Sequence, residues 1–259
     1  MKKIFLIILF LCLICCGCGK KQPKSDVLSE IYKRDKIIVG VREDAAPFGY
    51  RDNNGNLQGF DIDLAKTIAK SILGDDKKLD FVIVNASNRI MKLASGEVDL
   101  LIATMSITPQ RQQILDFSIP YYVAGQAIMV NNNSKATGLR DFQNKKLIIV
   151  FGSTSERNIR SNVPEISILG FRNYDDAYKA LKNNQADGMI ADDSILLRYF
   201  LKDKSLKILK KRYSKEPYAV VFRKEPESER LLTQVNYVMD NLKKTGKLNR
   251  MLEKWQIIN

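Results

Sequence analysis

Two loops of this chain carry residues suited to binding an anion. The run GSTSE at residues 152–156 follows an apolar segment and opens a predicted helix, so free backbone N–H groups and the hydroxyls of Ser153 and Thr154 would face the anion. A plain helix N-cap, with Glu156 in a capping box, explains the same residues without a ligand. In the second loop, Arg111 offers a planar fork of donors that matches a carboxylate, although a solvated loop arginine is the simpler interpretation.

Charged residues near other strand ends extend this set. Asp192 and Asp193 stand at the carboxyl end of an apolar strand, where ligand sites of open α/β sheets gather, and one of them could accept an ammonium group. Capping of the helix that starts at Ser194 is the alternative. Arg42 ends the first predicted strand and Arg89 opens a helix, and either could equally be a surface charge.

Alternating strands and helices must position these residues. Short apolar runs predict strands at residues 36–41, 81–84, 98–103, 146–151 and 166–170. Three- and four-residue spacing predicts helices at residues 60–73, 89–94, 154–161, 175–182, from 194 onward, and 228–255. In the helix at 60–73, Asp61 is expected on the face opposite the apolar residues. Phe48 and Phe60 fit a packed core better than a ligand-stacking role.

The strand–helix alternation occurs twice, which predicts an α/β fold of two units, each a mostly parallel sheet flanked by helices. Apolar strands at residues 126–130 and 218–223 flank the second block, and we interpret them as paired strands that cross between the units. The expected lobes are residues 35–125 with 220–259, and residues 126–219. A chain that crosses twice forms a two-lobed clamp, whose cleft suits a small ligand.

The composition argues against several function classes. Of 259 residues, 42 are Lys or Arg and 29 are Asp or Glu, a formal charge of +13. These basic residues are scattered, without the basic helix face or interleaved aromatics of a nucleic-acid groove, so we expect no nucleic-acid partner. The chain has no histidine, and all four cysteines lie within the first 18 residues. We therefore expect no metal, no cofactor and no histidine-based catalytic site.

The first 18 residues have the pattern of an export signal. Lys2 and Lys3 precede an apolar run at residues 4–14 that is short for a membrane span, although an uncleaved anchor is the competing interpretation. A cysteine after a small residue, followed by a segment at 19–34 that we interpret as a tether, resembles a bacterial lipobox. Cys18, after Gly17, is the preferred lipid-attachment site, and Cys16 is the alternative. Loss of the two lysines with the signal lowers the formal charge by two, to +11.

Four runs of the chain, taken in order, resemble one known family. They are GVREDAAPFGY at residues 40–50, GFDIDLA at 59–65, SITPQR at 106–111 and DFSIPYY at 116–122. Together they resemble the polar amino-acid solute-binding proteins of ABC importers, from about residue 35 to 255. The resemblance implies a two-lobed, periplasmic-binding-protein-like fold of type II, with an amino acid as ligand and the importer's permease subunits as partners.

The resemblance also implies roles for single residues. Arg111 would clamp the ligand α-carboxylate, with help from Ser106 and Thr154. Asp192 would accept the α-ammonium group. The other expected ligand-binding residues are Arg42, Arg89, Thr104, Ser153 and Tyr174.

Arg42 and Arg89 favour an acidic ligand, because closing a cleft over two unpaired arginines would cost several kcal/mol. The chain resembles most the glutamate/aspartate-binding branch of the family on this point. Departures are Ala86 and Ala103, where that branch often has hydroxyl residues, and Tyr174, where it often has a histidine. An asparagine–arginine pair, as at residues 88–89, also occurs in relatives that look like cysteine binders.

We therefore expect an extracytoplasmic, lipid-anchored and monomeric binding protein for glutamate or aspartate, which is not an enzyme. Binding of cysteine or glutamine by the same fold, and a role as a surface adhesin, are alternatives. A cyclohexadienyl-dehydratase-like activity on the same clamp is the enzymatic alternative, since fold alone does not fix function.

Overall fold

The computed structural model describes residues 25–163 and 165–257, so the predicted export signal and both candidate lipid-attachment cysteines lie outside the described residues. In chain order the strands are β1 (Ile37–Val41), β2 (Asp44–Ala45), β3 (Gly49–Arg51), β4 (Leu57–Gln58), β5 (Leu79–Ile83), β6 (Leu100–Ser106), β7 (Leu115–Phe117), β8 (Tyr122–Ala124), β9 (Gln126–Asn131), β10 (Lys146–Val150), β11 (Ser167–Phe171), β12 (Gly188–Asp192), β13 (Leu206–Ile208) and β14 (Glu216–Arg223). The helices are α1 (Val27–Arg34), α2 (Phe60–Leu73), α3 (Arg89–Ala94), α4 (Pro109–Gln112), α5 (Thr154–Asn162), α6 (Tyr174–Lys182), α7 (Asp193–Lys202), α8 (Glu229–Lys244) and α9 (Lys247–Lys254), with 3₁₀ turns at Leu139–Phe142 and Pro226–Ser228.

Two large sheets form two lobes, as predicted. In lobe 1 the strand order is β5-β1-β6-β14-β7, with β8 also paired to β14, and in lobe 2 it is β11-β10-β12-β9-β13. The predicted mostly parallel sheets are confirmed, and each sheet is mixed because one of its strands runs against the others. The strands β5, β1 and β6, and likewise β11, β10 and β12, are parallel, whereas β14 and β9 run antiparallel to their neighbours. A small antiparallel sheet of β2, β3 and β4 adjoins lobe 1.

The two strands that we expected to pair as crossings belong to different sheets. Strand β9 pairs with β12 and β13 in lobe 2, and β14 pairs with β6, β7 and β8 in lobe 1. Tyr218, which we assigned to the second lobe, is opposite Ser106 in the first sheet. The chain instead passes between the lobes near Gly125 and near Ser214, because each strand satisfies its backbone groups at a sheet of its own lobe.

Helix α1 corrects the prediction of a tether at residues 19–34. Asp26 caps this helix by accepting hydrogen bonds from the N–H groups of Leu28 and Ser29, each at 3.2 Å. Val27, Leu28 and Ile31 are buried in the core of lobe 1. Residues 27–34 are therefore part of the folded domain, because an apolar stripe at helical spacing finds a core to cover.

The C-terminal segment returns to lobe 1, as predicted, but as two helices. The expected single helix at 228–255 is interrupted at Gly246, whose φ of 66° is left-handed. Helix α8 therefore ends at Lys244, and α9 starts at Lys247. Both helices contribute to the core of lobe 1. Phe48 and Phe60 belong to the same core, fully buried with ring centroids 6.0 Å apart, which confirms their assignment to packing.

Replacement of Ile31 by alanine tests whether α1 is part of the fold. Because Ile31 is fully buried, Ile31→Ala should lower the free energy of unfolding by about 2–5 kcal/mol in a urea titration. Its neighbour Tyr32 is 48% exposed, so Tyr32→Ala should change stability much less. Equal, small effects of both substitutions would return residues 27–34 to the role of a tether.

Candidate ligand-binding site

Arg111 lies on α4, at the edge of lobe 1 that faces lobe 2. Thr108 caps the helix by accepting a hydrogen bond from the Arg111 N–H at 3.2 Å. The buried guanidinium donates to the Ser106 carbonyl at 2.8 Å and, across the cleft, to the Gly152 carbonyl at 3.2 Å. Burial, with the charge of Arg157 adding to it, lowers the pKa of Arg111. Both of these hydrogen bonds go to neutral carbonyl oxygens, so the charge suits a carboxylate brought by a ligand.

Arg89, at the first position of α3, is 3% exposed. Its Nη1 donates to the carbonyls of Ala103 at 2.6 Å and Thr104 at 3.4 Å, whereas its Nε lacks a hydrogen-bond partner within the described part of the chain. Burial, followed by the like charges of Arg111 and Arg42, lowers the pKa of Arg89 to about 9. A buried donor without a partner is costly, so this nitrogen is a candidate for a ligand or water contact.

Strand β6 delivers Thr104 and Ser106 to the same place, and both are buried. Thr104 has a φ of 48°, in the left-handed region that a β-branched residue rarely adopts. Its hydroxyl has no hydrogen-bond partner among residues 25–163 and 165–257. Backbone strain of this kind clusters at binding sites, which agrees with the predicted role of Thr104.

Arg42 is held by an aspartate that the sequence analysis did not consider. Its Nε and Nη2 each donate to an oxygen of Asp44 at 2.8 Å, a bidentate pair, and Arg42 is 1% exposed. Burial alone would lower the pKa of Arg42, but the adjacent Asp44 carboxylate outweighs it and raises the pKa. Our premise that Arg42 would be an unpaired charge is therefore wrong.

Tyr174, at the start of α6 in lobe 2, closes over this pair. The Arg42 guanidinium carbon lies 4.9 Å from the Tyr174 ring centroid, and the Tyr174 N–H donates to the Asp44 carboxylate at 3.3 Å. Burial raises the pKa of the Tyr174 hydroxyl. The structure therefore brings Tyr174 to the predicted site as a stacking partner of Arg42.

The two neighbouring aspartates have different surroundings. Asp193 accepts hydrogen bonds from the N–H groups of Gly125 at 3.1 Å and Ser194 at 2.8 Å, and it pairs with Arg212 at 2.6 Å. These contacts tie the start of α7 to the first crossing between the lobes. Asp193 is thus a structural residue that holds the start of α7, whereas Asp192, at the N-cap position, makes no side-chain capping hydrogen bond.

Asp192 is buried at the end of β12. It accepts a hydrogen bond from the Tyr218 hydroxyl of lobe 1 at 2.5 Å. Burial, followed by the negative charge of Glu216, raises the pKa of Asp192 to about 7, while Arg111 acts in the opposite direction. A buried carboxylate with no cation in hydrogen-bond contact within the described residues suits a ligand ammonium group.

At the start of α5, the capping interpretation is confirmed for Ser153. Its hydroxyl accepts a hydrogen bond from the Glu156 N–H at 3.2 Å, and Glu156 in turn accepts one from the Gly152 N–H at 3.0 Å. Gly152 has a φ of 76°, and a Cβ there would lie 2.3 Å from the Ala86 carbonyl oxygen of lobe 1. The lobes therefore approach so closely at this point that only glycine fits.

The Thr154 hydroxyl belongs to an internal network. It donates to Glu216 Oε2 and accepts from Gln126 Nε2, each at 2.9 Å, and Gln126 Nε2 also donates to Glu216 Oε1 at 2.9 Å. Ser214 donates to the same Glu216 oxygen at 2.6 Å. The hydrogen of the Thr154 hydroxyl is directed to Glu216, so its predicted contact with a ligand carboxylate stays a prediction for the backbone N–H groups of this helix start.

Two general features of residues 25–163 and 165–257 bear on function. Within those residues no group of three or more metal-ligating side chains comes together. None of the helices formed there is both long and apolar enough to cross a membrane.

Residues 37–257 match the family described as bacterial extracellular solute-binding proteins, family 3. The chain belongs to this family. A glutamine-binding protein of an ABC transporter, GlnH of Bacillus subtilis (strain 168), is 38% identical over 268 residues, 98% of this chain and 97% of that protein. The glutamine-binding protein of Geobacillus stearothermophilus is 39% identical over 206 residues, 79% of each chain. The crystal structure of a cysteine-binding protein from Campylobacter jejuni matches with a TM-score of 0.85 at 30% identity, covering 88% of this chain and 92% of that one.

These comparisons support the predicted family but not the predicted branch. The two curated relatives above carry glutamine in their names, and neither carries glutamate or aspartate. The chain is thus an extracellular solute-binding protein, and the residues of its own site must indicate which solute it binds.

This solute-binding protein has buried carboxylates that sequence analysis missed or misplaced. Asp44 and Glu216 were not considered, and Asp61 was placed on the outer face of α2, whereas it is fully buried in the first turn. Neither oxygen of Asp61 makes a hydrogen bond of good geometry among the described residues, although the Tyr121 hydroxyl and the Thr104 N–H are close enough to lower its pKa. Burial outweighs them and raises the pKa of Asp61 to about 7. Asp44 had a signal in the sequence, since it is an opposite charge only two residues after Arg42.

The raised pKa of Asp61 predicts a pH dependence of stability. Between the ordinary value of 3.8 and about 7, the folded state binds more protons than the unfolded state, so this residue lowers the free energy of unfolding as pH rises through that range. Asp61→Asn should therefore lose less stability than the unsubstituted protein between about pH 4.5 and 7.5 in urea titrations. The raised pKa of Asp192 lowers the free energy of unfolding with rising pH in both proteins, so its effect cancels when their curves are compared.

The exposed Asp76 provides the control, because Asp76→Asn should follow the unsubstituted protein at every pH. Parallel curves for Asp61→Asn and the unsubstituted protein would show that Asp61 does not titrate in this range.

Proposed function

We propose that this protein binds glutamine between its lobes and delivers it to the permease subunits of an ABC importer. The observation that carries the proposal is the bidentate pair of Arg42 with Asp44. An unpaired Arg42 would have called for an acidic side chain, but the paired one offers a donor and an acceptor side by side. A carboxamide, which both donates and accepts, complements such a pair.

The charge of the buried cluster also favours a neutral ligand. Three arginines and four carboxylates are buried in and around the cleft: Arg42, Arg89, Arg111, Asp44, Asp61, Asp192 and Glu216. Their charges sum to minus one when all are ionised, and to zero when Asp61 holds a proton and Asp192 stays ionised against the ligand ammonium group. A zwitterion with a neutral side chain leaves this balance unchanged, whereas glutamate adds a buried negative charge that the cluster does not compensate.

The remaining roles follow from the free capacities of each group. Arg111 and the first amides of α5 take the α-carboxylate, because they combine a planar cation with a helix N-terminus. Asp192 takes the α-ammonium group. Arg89 Nε and the Thr104 hydroxyl, which lack internal partners in the described part of the chain, add contacts directly or through water.

The glutamine-binding relatives support this choice of ligand, since the first of them matches nearly the whole chain. The cysteine-binding neighbour makes cysteine the second candidate, and glutamate or aspartate is the third. In this proposal the protein is a carrier rather than an enzyme, and it acts as a monomer outside the cytoplasmic membrane. An adhesin role stays a prediction that ligand binding would not contradict.

Calorimetry with a panel of amino acids tests the ligand. The chain from Ser25 onward, freed of endogenous ligand by unfolding and refolding, should bind glutamine with a Kd near 1 μM, or about −8 kcal/mol. Glutamate should bind at least about tenfold more weakly, because the Arg42 charge is already matched. Preferential binding of glutamate would restore the acidic branch, and preferential binding of cysteine would keep the clamp but discard glutamine.

Matched arginine variants show where the ligand binds. Arg111→Ala should lower the affinity for every amino acid by at least about 100-fold, since it removes charge-assisted hydrogen bonds of about 1.5–3 kcal/mol each. The exposed Arg140 of lobe 2 is the control, and Arg140→Ala should bind as the unsubstituted protein does.

The lipid anchor is proposed at Cys18, with Cys16 as the alternative. Expressed with its leader in a bacterium, the chain should incorporate radiolabelled palmitate and sediment with membranes. Cys18→Ala should lose both properties, whereas Cys16→Ala should keep them. The reverse pattern would assign the anchor to Cys16, and labelling of neither protein would remove the anchor.

A further inference from the structure

Asp44 belongs to the ligand site and to the lobe interface at once. Its carboxylate holds Arg42 within lobe 1 and accepts the N–H of Tyr174 from lobe 2 at 3.3 Å. Its backbone carbonyl accepts a hydrogen bond from Arg198 Nη1 of lobe 2 at 3.2 Å. One residue of lobe 1 thus has two partners on the opposite lobe, beyond the arginine that it positions.

Arg198 is held in place by lobe 2 itself. Its Nη1 lies 3.6 Å from an oxygen of Asp175, and its guanidinium carbon lies 5.5 Å from the ring centroid of Tyr199. The Tyr199 hydroxyl donates to the same Asp175 oxygen at 2.9 Å. The guanidinium is therefore preorganised to meet lobe 1 on closing, without help from a ligand.

These contacts stand at the mouth of the cleft. A cavity of about 530 Å³ opens between the lobes there, and its lining includes Asp44 and Arg51 of lobe 1 with Asp175 and Arg198 of lobe 2. Other contacts across the cleft involve different parts of the site, such as Arg157 with Gln110 and Arg111 with Gly152. The Asp44 contacts are distinguished from those by their direct link to Arg42.

We propose that Asp44 is a positioning residue that couples lobe closure to the choice of ligand side chain. In the open protein it already neutralises Arg42, so closing does not bury this arginine as an unmatched cation. On closing, Asp44 gains hydrogen bonds from the Tyr174 N–H and from the Arg198 guanidinium. Both hydrogen bonds must break when the cleft reopens and the solute leaves. The identity of the solute rests on the proposed function, but the closure contacts themselves do not.

Arg198→Ala tests the latch without touching the ligand site. Stopped-flow measurements should show glutamine dissociating about tenfold faster, with association changed by less than about threefold, because the lost contact exists only in the closed form. Arg198→Lys should recover part of the effect. The exposed Arg140 again supplies the control, and Arg140→Ala should leave both rates unchanged.

Asp44→Asn tests the coupling to ligand choice. It keeps an acceptor for Tyr174 but removes the charge that matches Arg42, so the ratio of glutamine to glutamate affinity should fall by about tenfold or more. Asp76→Asn is the exposed control in the same lobe and should leave the ratio unchanged. If Asp44→Asn does not fold, Arg198→Ala still decides the latch, and the variant that combines Arg42→Gln with Asp44→Asn keeps an uncharged pair for the selectivity test.

A distance measurement separates failure of the latch from failure of the proposed ligand. The chain from Ser25 onward has no cysteine, so Lys66→Cys on lobe 1 and Lys202→Cys on lobe 2 allow a dye pair to report closure by energy transfer. A smaller closed fraction in Arg198→Ala, with or without glutamine, supports the latch even if glutamine is not the solute. Unchanged closure together with an unchanged dissociation rate would overturn it.

Discussion

A charge that leaves water must find a partner, and closing two lobes over three arginines imposes that demand three times. The structure meets it differently at each one. Arg42 receives a carboxylate of its own, whereas Arg89 and Arg111 receive carbonyl oxygens and stay open to a further anion. Three elements place these groups: β1 ends just before Arg42, β6 ends at the Ser106 carbonyl, and α4 contains Arg111.

The two lobes treat their polar groups unequally. Lobe 2 and the crossings share a satisfied network around Glu216, in which each hydrogen bond restrains the next. In the part of the chain that the structure describes, most buried polar atoms without a partner lie in lobe 1, on Asp61, Arg89 and Thr104 among others, whereas lobe 2 has the Ser155 hydroxyl. The first arrangement favours a fixed geometry between α5 and both crossings, and the second leaves polar capacity that a solute can use.

Features set by neighbouring residues could be predicted from the sequence, whereas features set by contacts between distant residues could not. Helix α2 and its end at Gly74 follow from local spacing and were predicted with correct bounds, as was α3. Pairing partners of β9 and β14 are set by sheet edges far away in the chain, which no local pattern encodes. Asp26 and the apolar stripe of α1 were readable signals that the tether interpretation overlooked. The left-handed backbone of Thr104 and the burial of Asp61 depend on tertiary contacts and had no comparable signal.

Gly152 lies against the Ala86 carbonyl with no room for a single methyl group. This contact therefore limits how closely the two lobes can approach each other. A larger residue at position 152 would hold the lobes apart and leave the fold of each lobe unchanged. How closely the two lobes approach each other thus depends on the missing side chain at this one position.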